Sequence, residues 1–272
     1  MKRSVFYISD STGITAETLG HSLITQFPQF TFEQIAIPYI TSLEKAQEVI
    51  IQINKASQIN QTKSIVFSTL VKPEIRNVFI ESDCLFMDFF DRLIGPLEEE
   101  LQSKYAQNVG KFHTINNVNT YYTRIAAIEF ALKTDDGINV KDYNKAELIL
   151  LGVSRSGKTP TCLYLALKFG IYISNYPLTE EDLVSDQLPT SLLPYKNKLF
   201  GLIITPERLH QIRQQRMPDS KYSSLAQCQK ELKITKQMLT KFSVPYLEST
   251  SFSIEELAAQ IMVQKSLKRH LF

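Results

Sequence analysis

The chain has 272 residues, 43% hydrophobic and 21% charged, with a formal net charge of +2. That length predicts one large domain or two small ones, and that composition excludes disordered, collagenous and coiled-coil chains. So small a charge does not mark a nucleic-acid binder, and no apolar run is long enough to span a membrane.

From the amino terminus, strand-like and helix-like segments alternate. Val5 to Ile8 predicts a strand ending at the turn cluster Ser9, Asp10, Ser11, Thr12 and Gly13. A helix over Thr15 to Phe27, closed by Pro28, follows. Ile35 to Ile37 predicts a second strand, Leu43 to Ala56 a second helix and Ser64 to Phe67 a third strand. Pro73 and Glu74 open the next helix. From Leu101 to Asn119 the pattern lapses into polar residues and marks a boundary, giving an N-terminal domain over 1–105 and a second over 106–272. The second block predicts a helix from Tyr122 to Lys133, a turn at Asp135, Asp136 and Gly137, and a strand from Leu148 to Leu151. A helix from Pro160 to Phe169, a strand from Leu199 to Ile204 and a helix opened by Pro206 follow. The amphipathic tail, Ile254 to Leu267, is expected to pack on the sheet. The fold class is therefore α/β: an N-terminal domain of βαβ type, then a domain with a mostly parallel sheet, which the G-x-x-x-x-G-K-T run Gly152 to Thr159 after its first strand makes a phosphate-loop (P-loop) kinase-like one.

Cys84, Cys162 and Cys228 are scattered, with no CxxC or Cys/His spacing. They argue against a disulfide framework or structural zinc and suit a reducing compartment. Met1, Lys2 and Arg3 precede an apolar run too short for a signal peptide, so a cytoplasmic chain is expected.

The strongest chemical signal is Gly152, Val153, Ser154, Arg155, Ser156, Gly157, Lys158 and Thr159, a complete G-x-x-x-x-G-K-[ST] between an apolar strand and a helix. Two glycines let backbone N–H groups turn inward around an anion, and the new helix adds its positive end. Lys158 supplies a charge for phosphates, and Thr159 offers a hydroxyl to magnesium. The bland alternative is an ordinary turn with an exposed lysine. No acidic residue clearly ends a neighbouring strand. Asp135 and Asp136, just before the strand feeding the loop, could hold magnesium or accept a proton, or could form a plain solvated turn. The Ser11–Thr12–Gly13 region suits a phosphoryl group, or equally a capping box with a later glutamate. His21 and His113 are isolated. Arg208, Arg213 and Arg216 lie along one predicted helix, by default a solvated basic face and otherwise a phosphate contact.

At the phosphate loop the chain resembles the pyruvate,phosphate dikinase and phosphoenolpyruvate synthase regulatory proteins. The resemblance rests on Leu151 to Thr161 with Leu163 to Ala166, and continues at Val5 to Asp10, Thr15 to Glu17 and Leu19 to His21. It extends through Arg124 to Ile128, Asp135 to Ile138, Asn175 to Pro177, Lys198 to Leu202 and Pro206 to Leu209. The opening segment and Tyr222 to Cys228 look closer to the phosphoenolpyruvate synthase branch. The resemblance implies a bifunctional enzyme, an ADP-dependent protein serine/threonine kinase and Pi-dependent phosphorylase. Such an enzyme phosphorylates a threonine of its target dikinase with ADP, inactivating it, and removes the group with inorganic phosphate, releasing pyrophosphate. It also implies that Gly152 to Thr159 form the ADP loop, that Asp135 and Asp136 are catalytic and that Lys133 is a weaker candidate. The resemblance further implies Ser11 to Gly13 as a candidate second phosphate site. One loop could serve both reactions if the ADP β-phosphate and inorganic phosphate overlap in position. The implied partner is phosphoenolpyruvate synthase or pyruvate,phosphate dikinase, with no nucleic acid and no membrane; self-association stays open. Two other readings compete: a P-loop kinase acting on a small molecule, and a nucleotide sensor that transfers nothing.

Overall fold

The computed structural model describes residues 2–106, 118–185 and 187–270. His113 and most of the polar stretch lie outside these. Contacts divide the chain into two compact units, Met1–Thr114 and Ile115–Phe272.

The first unit runs β1 (Lys2–Ile8), α1 (Ile14–Ile24), β2 (Thr31–Ile37), α2 (Leu43–Asn60), β3 (Ile65–Ser68), α3 (Pro73–Ile80), β4 (Leu85–Asp88) and α4 (Phe89–Leu101). All four strands are parallel, in the order β2-β1-β3-β4. Val5 to Ile8 are buried on both faces, as a central parallel strand requires. Phe6, Ile8 and Val66 pack with Val49, Ile53 and Phe79 from α2 and α3, while Val5, Tyr7 and Phe67 pack with Ala16 and Ile24 of α1 on the other face.

The turn after β1 is not a capping box. Gly13, with φ +79°, caps α1 without any side-chain cap bond. Instead the Ser9 hydroxyl accepts from the Ser11 N–H at 3.1 Å, and the Asp10 carboxylate accepts from the Val71 N–H at 2.8 Å. The first bond closes the turn on itself, and the second ties it to the loop after β3. Burial pushes the Asp10 carboxyl above its ordinary range, against the lowering effect of the Val71, Asp10 and Lys72 N–H groups and of the Lys72 charge. A raised carboxyl pKa means the folded chain holds its proton longer than the unfolded chain. Asp10 therefore takes stability away as pH rises through its folded pKa. Asp10→Asn keeps an acceptor for Val71 and removes the buried charge. It is expected to raise the melting temperature at pH 7, with no gain below about pH 4. Calorimetric melts at both pH values check this; a lower melting temperature at pH 7 would contradict it.

The second unit runs α5 (Val118–Lys133), β5 (Leu148–Val153), α6 (Lys158–Phe169), β6 (Ile173–Leu178), α7 (Glu180–Ser185), β7 (Leu199–Ile203), α8 (Pro206–Arg216), α9 (Leu225–Lys241), β8 (Tyr246–Glu248) and α10 (Ile254–Gln264). Its sheet is also fully parallel, in the order β6-β5-β7-β8. Leu148, Leu150 and Phe200 face α6 and α10, including Leu165, Leu257 and Ile261, so the carboxy-terminal helix packs as expected. Ile149, Leu151 and Val153 face Leu232, Met238 and Leu239 of α9. From β5 the chain goes to β6 on one side and later to β7 on the other. The carboxyl end of β5 is thus where the strand order reverses, the place where open parallel sheets form a binding crevice. Among the described residues no helix is long and apolar enough to cross a membrane.

Candidate active site

Gly152 to Thr159 leave the carboxyl end of β5 and turn into α6. Gly152 sits where only a hydrogen fits: a Cβ would stand 2.3 Å from the Leu202 carbonyl oxygen of β7. Gly157, at φ +91°, caps α6 in the left-handed region with open space around it, and Arg155 shares that region at φ +75°. These positions let the loop turn its N–H groups toward an anion at the positive end of α6. A cavity of about 260 Å³ opens there, lined by Asp136, Ser154, Arg155, Gly157, Lys158, Thr159, Pro160 and Arg216. Three cations and one carboxylate around so small a space suit phosphate groups.

Lys158 is not the exposed lysine of an ordinary turn. It is 4% exposed, and its Nζ donates to the Val153 carbonyl at 2.9 Å. Burial pulls its pKa down to about 8, opposed by the nearby Asp136 and Asp135 carboxylates. A cation held so far out of water, with one neutral acceptor, is poised for an anion.

The acidic turn Asp135–Gly137 follows α5 and lies against β6. The Thr159 hydroxyl donates to Asp135 Oδ1 at 3.0 Å, and the Asn175 side-chain amide donates to the same oxygen. Asp136 has left-handed backbone angles (φ 51°, ψ 35°), and its N–H donates to Asn175 Oδ1 at 3.2 Å. Asp135 is half-buried, whereas Asp136 is exposed and lines the cavity. A hydroxyl and a carboxylate side by side are hard oxygen donors of the kind magnesium accepts. Among the described residues no group of three or more His, Cys, Asp or Glu could hold an ion. Magnesium held through one or two side chains and the phosphates of a nucleotide needs no such cage.

The three arginines of α8 do not share a solvated face. Arg213 is 1% exposed, paired with Glu231 at 2.7 Å, and stacks 4.1 Å from the Tyr222 ring centre. It also donates to the Ser154 carbonyl at 3.2 Å, while the Tyr222 hydroxyl donates to Ser154 Oγ at 3.1 Å. This brace fixes the loop to α8. Arg216 reaches the cavity, and Arg208 donates to Gln211 at 3.3 Å on the exposed surface. Lys133 pairs with Asp142 at 2.8 Å rather than with the acidic turn. In the first unit, His21 Nδ1 lies 3.0 Å from Gln34 Oε1.

Residues 5–262 match the kinase/pyrophosphorylase family. The chain belongs to the kinase/pyrophosphorylase family. Relatives agree over their whole length. The chain is 50% identical over 270 residues to a protein of Marinobacter nauticus, covering 99% of this chain and 100% of that one. It is 51% identical over 271 residues to one of Legionella pneumophila strain Corby, with both chains fully covered. A Hahella chejuensis protein is 49% identical over 271 residues, again with both chains fully covered. All three carry the name "Putative phosphoenolpyruvate synthase regulatory protein". Membership of this family supports a phosphotransferase activity.

The roles of Asn175 and Tyr222, and that of Arg213 as a buried brace rather than a solvated or phosphate-contacting arginine, are not legible in the sequence. Asn175 carried one usable signal: asparagine is depleted in strands, so one inside an apolar run asks for a reason.

Proposed function

We propose that this chain regulates phosphoenolpyruvate synthase by two opposed phosphoryl transfers at one loop: ADP-dependent phosphorylation of a threonine, and its phosphorolysis by inorganic phosphate. The observation that supports it is the cavity, with Arg155, Lys158 and Arg216 beside the exposed Asp136 carboxylate. The relatives' shared name supports the partner.

In the kinase direction the threonine oxygen attacks the β-phosphorus of ADP, Asp136 takes its proton, and the bond to the bridging oxygen breaks to release AMP. In the opposite direction an oxygen of inorganic phosphate attacks the phosphothreonine phosphorus. The bond to the threonine oxygen breaks, that oxygen takes a proton from Asp136, and pyrophosphate leaves. Inorganic phosphate thus stands where the α-phosphate of AMP stood, not in the β-phosphate seat as the overlap expected from the sequence would have it, and one loop serves both reactions because the transferred phosphoryl group keeps that seat. Lys158 and the loop N–H groups hold the transferred phosphoryl group, and Arg155 and Arg216 neutralise its neighbour. Magnesium, held by Thr159 and Asp135, would supply charge neutralisation between the phosphates.

The test is incubation with β-labelled ADP or γ-labelled ATP, with phosphoenolpyruvate synthase and pyruvate,phosphate dikinase side by side. Label is expected on a threonine of phosphoenolpyruvate synthase from ADP alone. Added phosphate should release it as pyrophosphate, with AMP competing against phosphate. Equal labelling from ATP, a labelled small product without any partner, or no transfer at all would each reject this function. Labelling of the dikinase alone would move the target to the other branch.

A further inference from the structure

We propose that Asn175 is a positioning residue that sets Asp135 against Thr159 and leaves the Asp136 carboxylate free for the cavity. This rests on the phosphoryl-transfer reading above. Asn175 lies inside β6, fully buried, where an unsatisfied amide would be costly. Both ends of its side chain are spent on the acidic turn: the amide N–H₂ on Asp135 Oδ1, the amide oxygen on the Asp136 N–H. A carboxylate only accepts and an N–H only donates, so the amide can stand in one orientation alone.

The strand that carries Asn175 is itself clamped. The buried Tyr143 hydroxyl donates to the Asn175 carbonyl at 2.8 Å. Next door, the Ser174 hydroxyl lies 2.9 Å from that of Thr134, the residue just before Asp135. β6 therefore grips the turn at Thr134, Asp135 and Asp136 in succession. Aspartate tolerates left-handed backbone better than most residues, and the bond from the Asp136 N–H to Asn175 holds it there. The grip accounts for the different exposure of two adjacent carboxylates. In this family member the acid beside the loop comes from a turn before β5, not from the end of a neighbouring strand. Asn175 is what fixes that turn to the sheet.

Two variants test this. Asn175→Ala removes both contacts. Asn175→Asp keeps an oxygen for the Asp136 N–H but replaces the donor to Asp135 with a second carboxylate. Turnover with ADP, KM for ADP, melting temperature, and calorimetric ADP affinity with and without magnesium are measured on each. Both variants are expected to lose turnover by about 100-fold, the cost of a small misplacement, with KM for ADP rising only as far as the lost magnesium gain requires. ADP affinity without magnesium should hold, while the gain on adding magnesium disappears. Unchanged turnover in both, or equal loss of ADP affinity with and without magnesium, would overturn the assignment. If both fail to fold, Tyr143→Phe decides: it releases only the strand, and should lower turnover roughly 10-fold with the same loss of the magnesium gain. Wild-type behaviour there would overturn it equally. An Asp136→Asn variant with full activity would instead sink the underlying reading, whatever Asn175 does.

Discussion

Replacing Asp136 by Asn is expected to lower turnover by about 10²–10⁴-fold, the usual share of a general base, with ADP affinity almost unchanged. Asp136 is exposed, lines the loop cavity and, among the described residues, is hydrogen-bonded through its backbone N–H alone. Its carboxylate is therefore available to a hydroxyl entering the cavity. Asn preserves shape and reach but cannot hold the proton. The neighbouring variant, Asp135→Asn, should behave differently, because Asp135 Oδ1 is already committed to Thr159 and Asn175. An amide oxygen can keep both contacts, but the charge facing a cation is gone, so partial rescue by raised magnesium is expected. Kinetics across a magnesium series and melts on both variants separate the two roles. Full activity in Asp136→Asn ends the base assignment; rescue of Asp136→Asn by magnesium would exchange the two roles.

The parts of the fold that were legible in the sequence are those where one local rule acts alone. β1, β3, β5 and β7 are buried parallel strands that read as apolar runs, and Pro73 and Pro206 mark helix starts by their fixed φ. β4 was missed because four residues run directly into α4, and α4 because Gly95 and Pro96 read as breakers while Pro96 is carried within the helix. β6 was missed because Asn175 and Pro177 interrupt its pattern, yet Asn175 is the residue the acidic turn depends on. The phosphate loop was legible because its chemistry is contiguous. The arrangement around it was not, since Asp136, Asn175 and Arg216 arrive from separate elements that only the folded sheet brings together. Arg213 shows the same limit from the other side. A helix with three arginines reads as a solvated face, and nothing local announces that Glu231 of α9 will pair with one of them in the interior.

Lys158→Met is the second large expected effect, and its sign on stability differs from what a turn lysine would give. Lys158 is 4% exposed, donates to the Val153 carbonyl and is pulled down to about 8 by burial, so its charge is held at a cost to the folded state. Met has a similar length, no charge to desolvate and no need for that carbonyl. The variant should therefore melt at or above the wild-type temperature at pH 7. Phosphate binding should suffer, because a charge-assisted contact contributes about 1.5–3 kcal/mol, or roughly 10–100-fold in ADP affinity. Turnover should fall further, by about 10²–10³-fold, since the charge that develops during transfer loses a donor placed in advance. Both transfer directions should fall together if, as proposed, one loop holds the moving phosphoryl group in each. ADP calorimetry, labelling, phosphorolysis and a melt on the same preparation test the whole argument. Preserved turnover would remove Lys158 from the site. Loss of only one direction would require two separate sites, and a large drop in melting temperature would make the buried lysine a structural element instead.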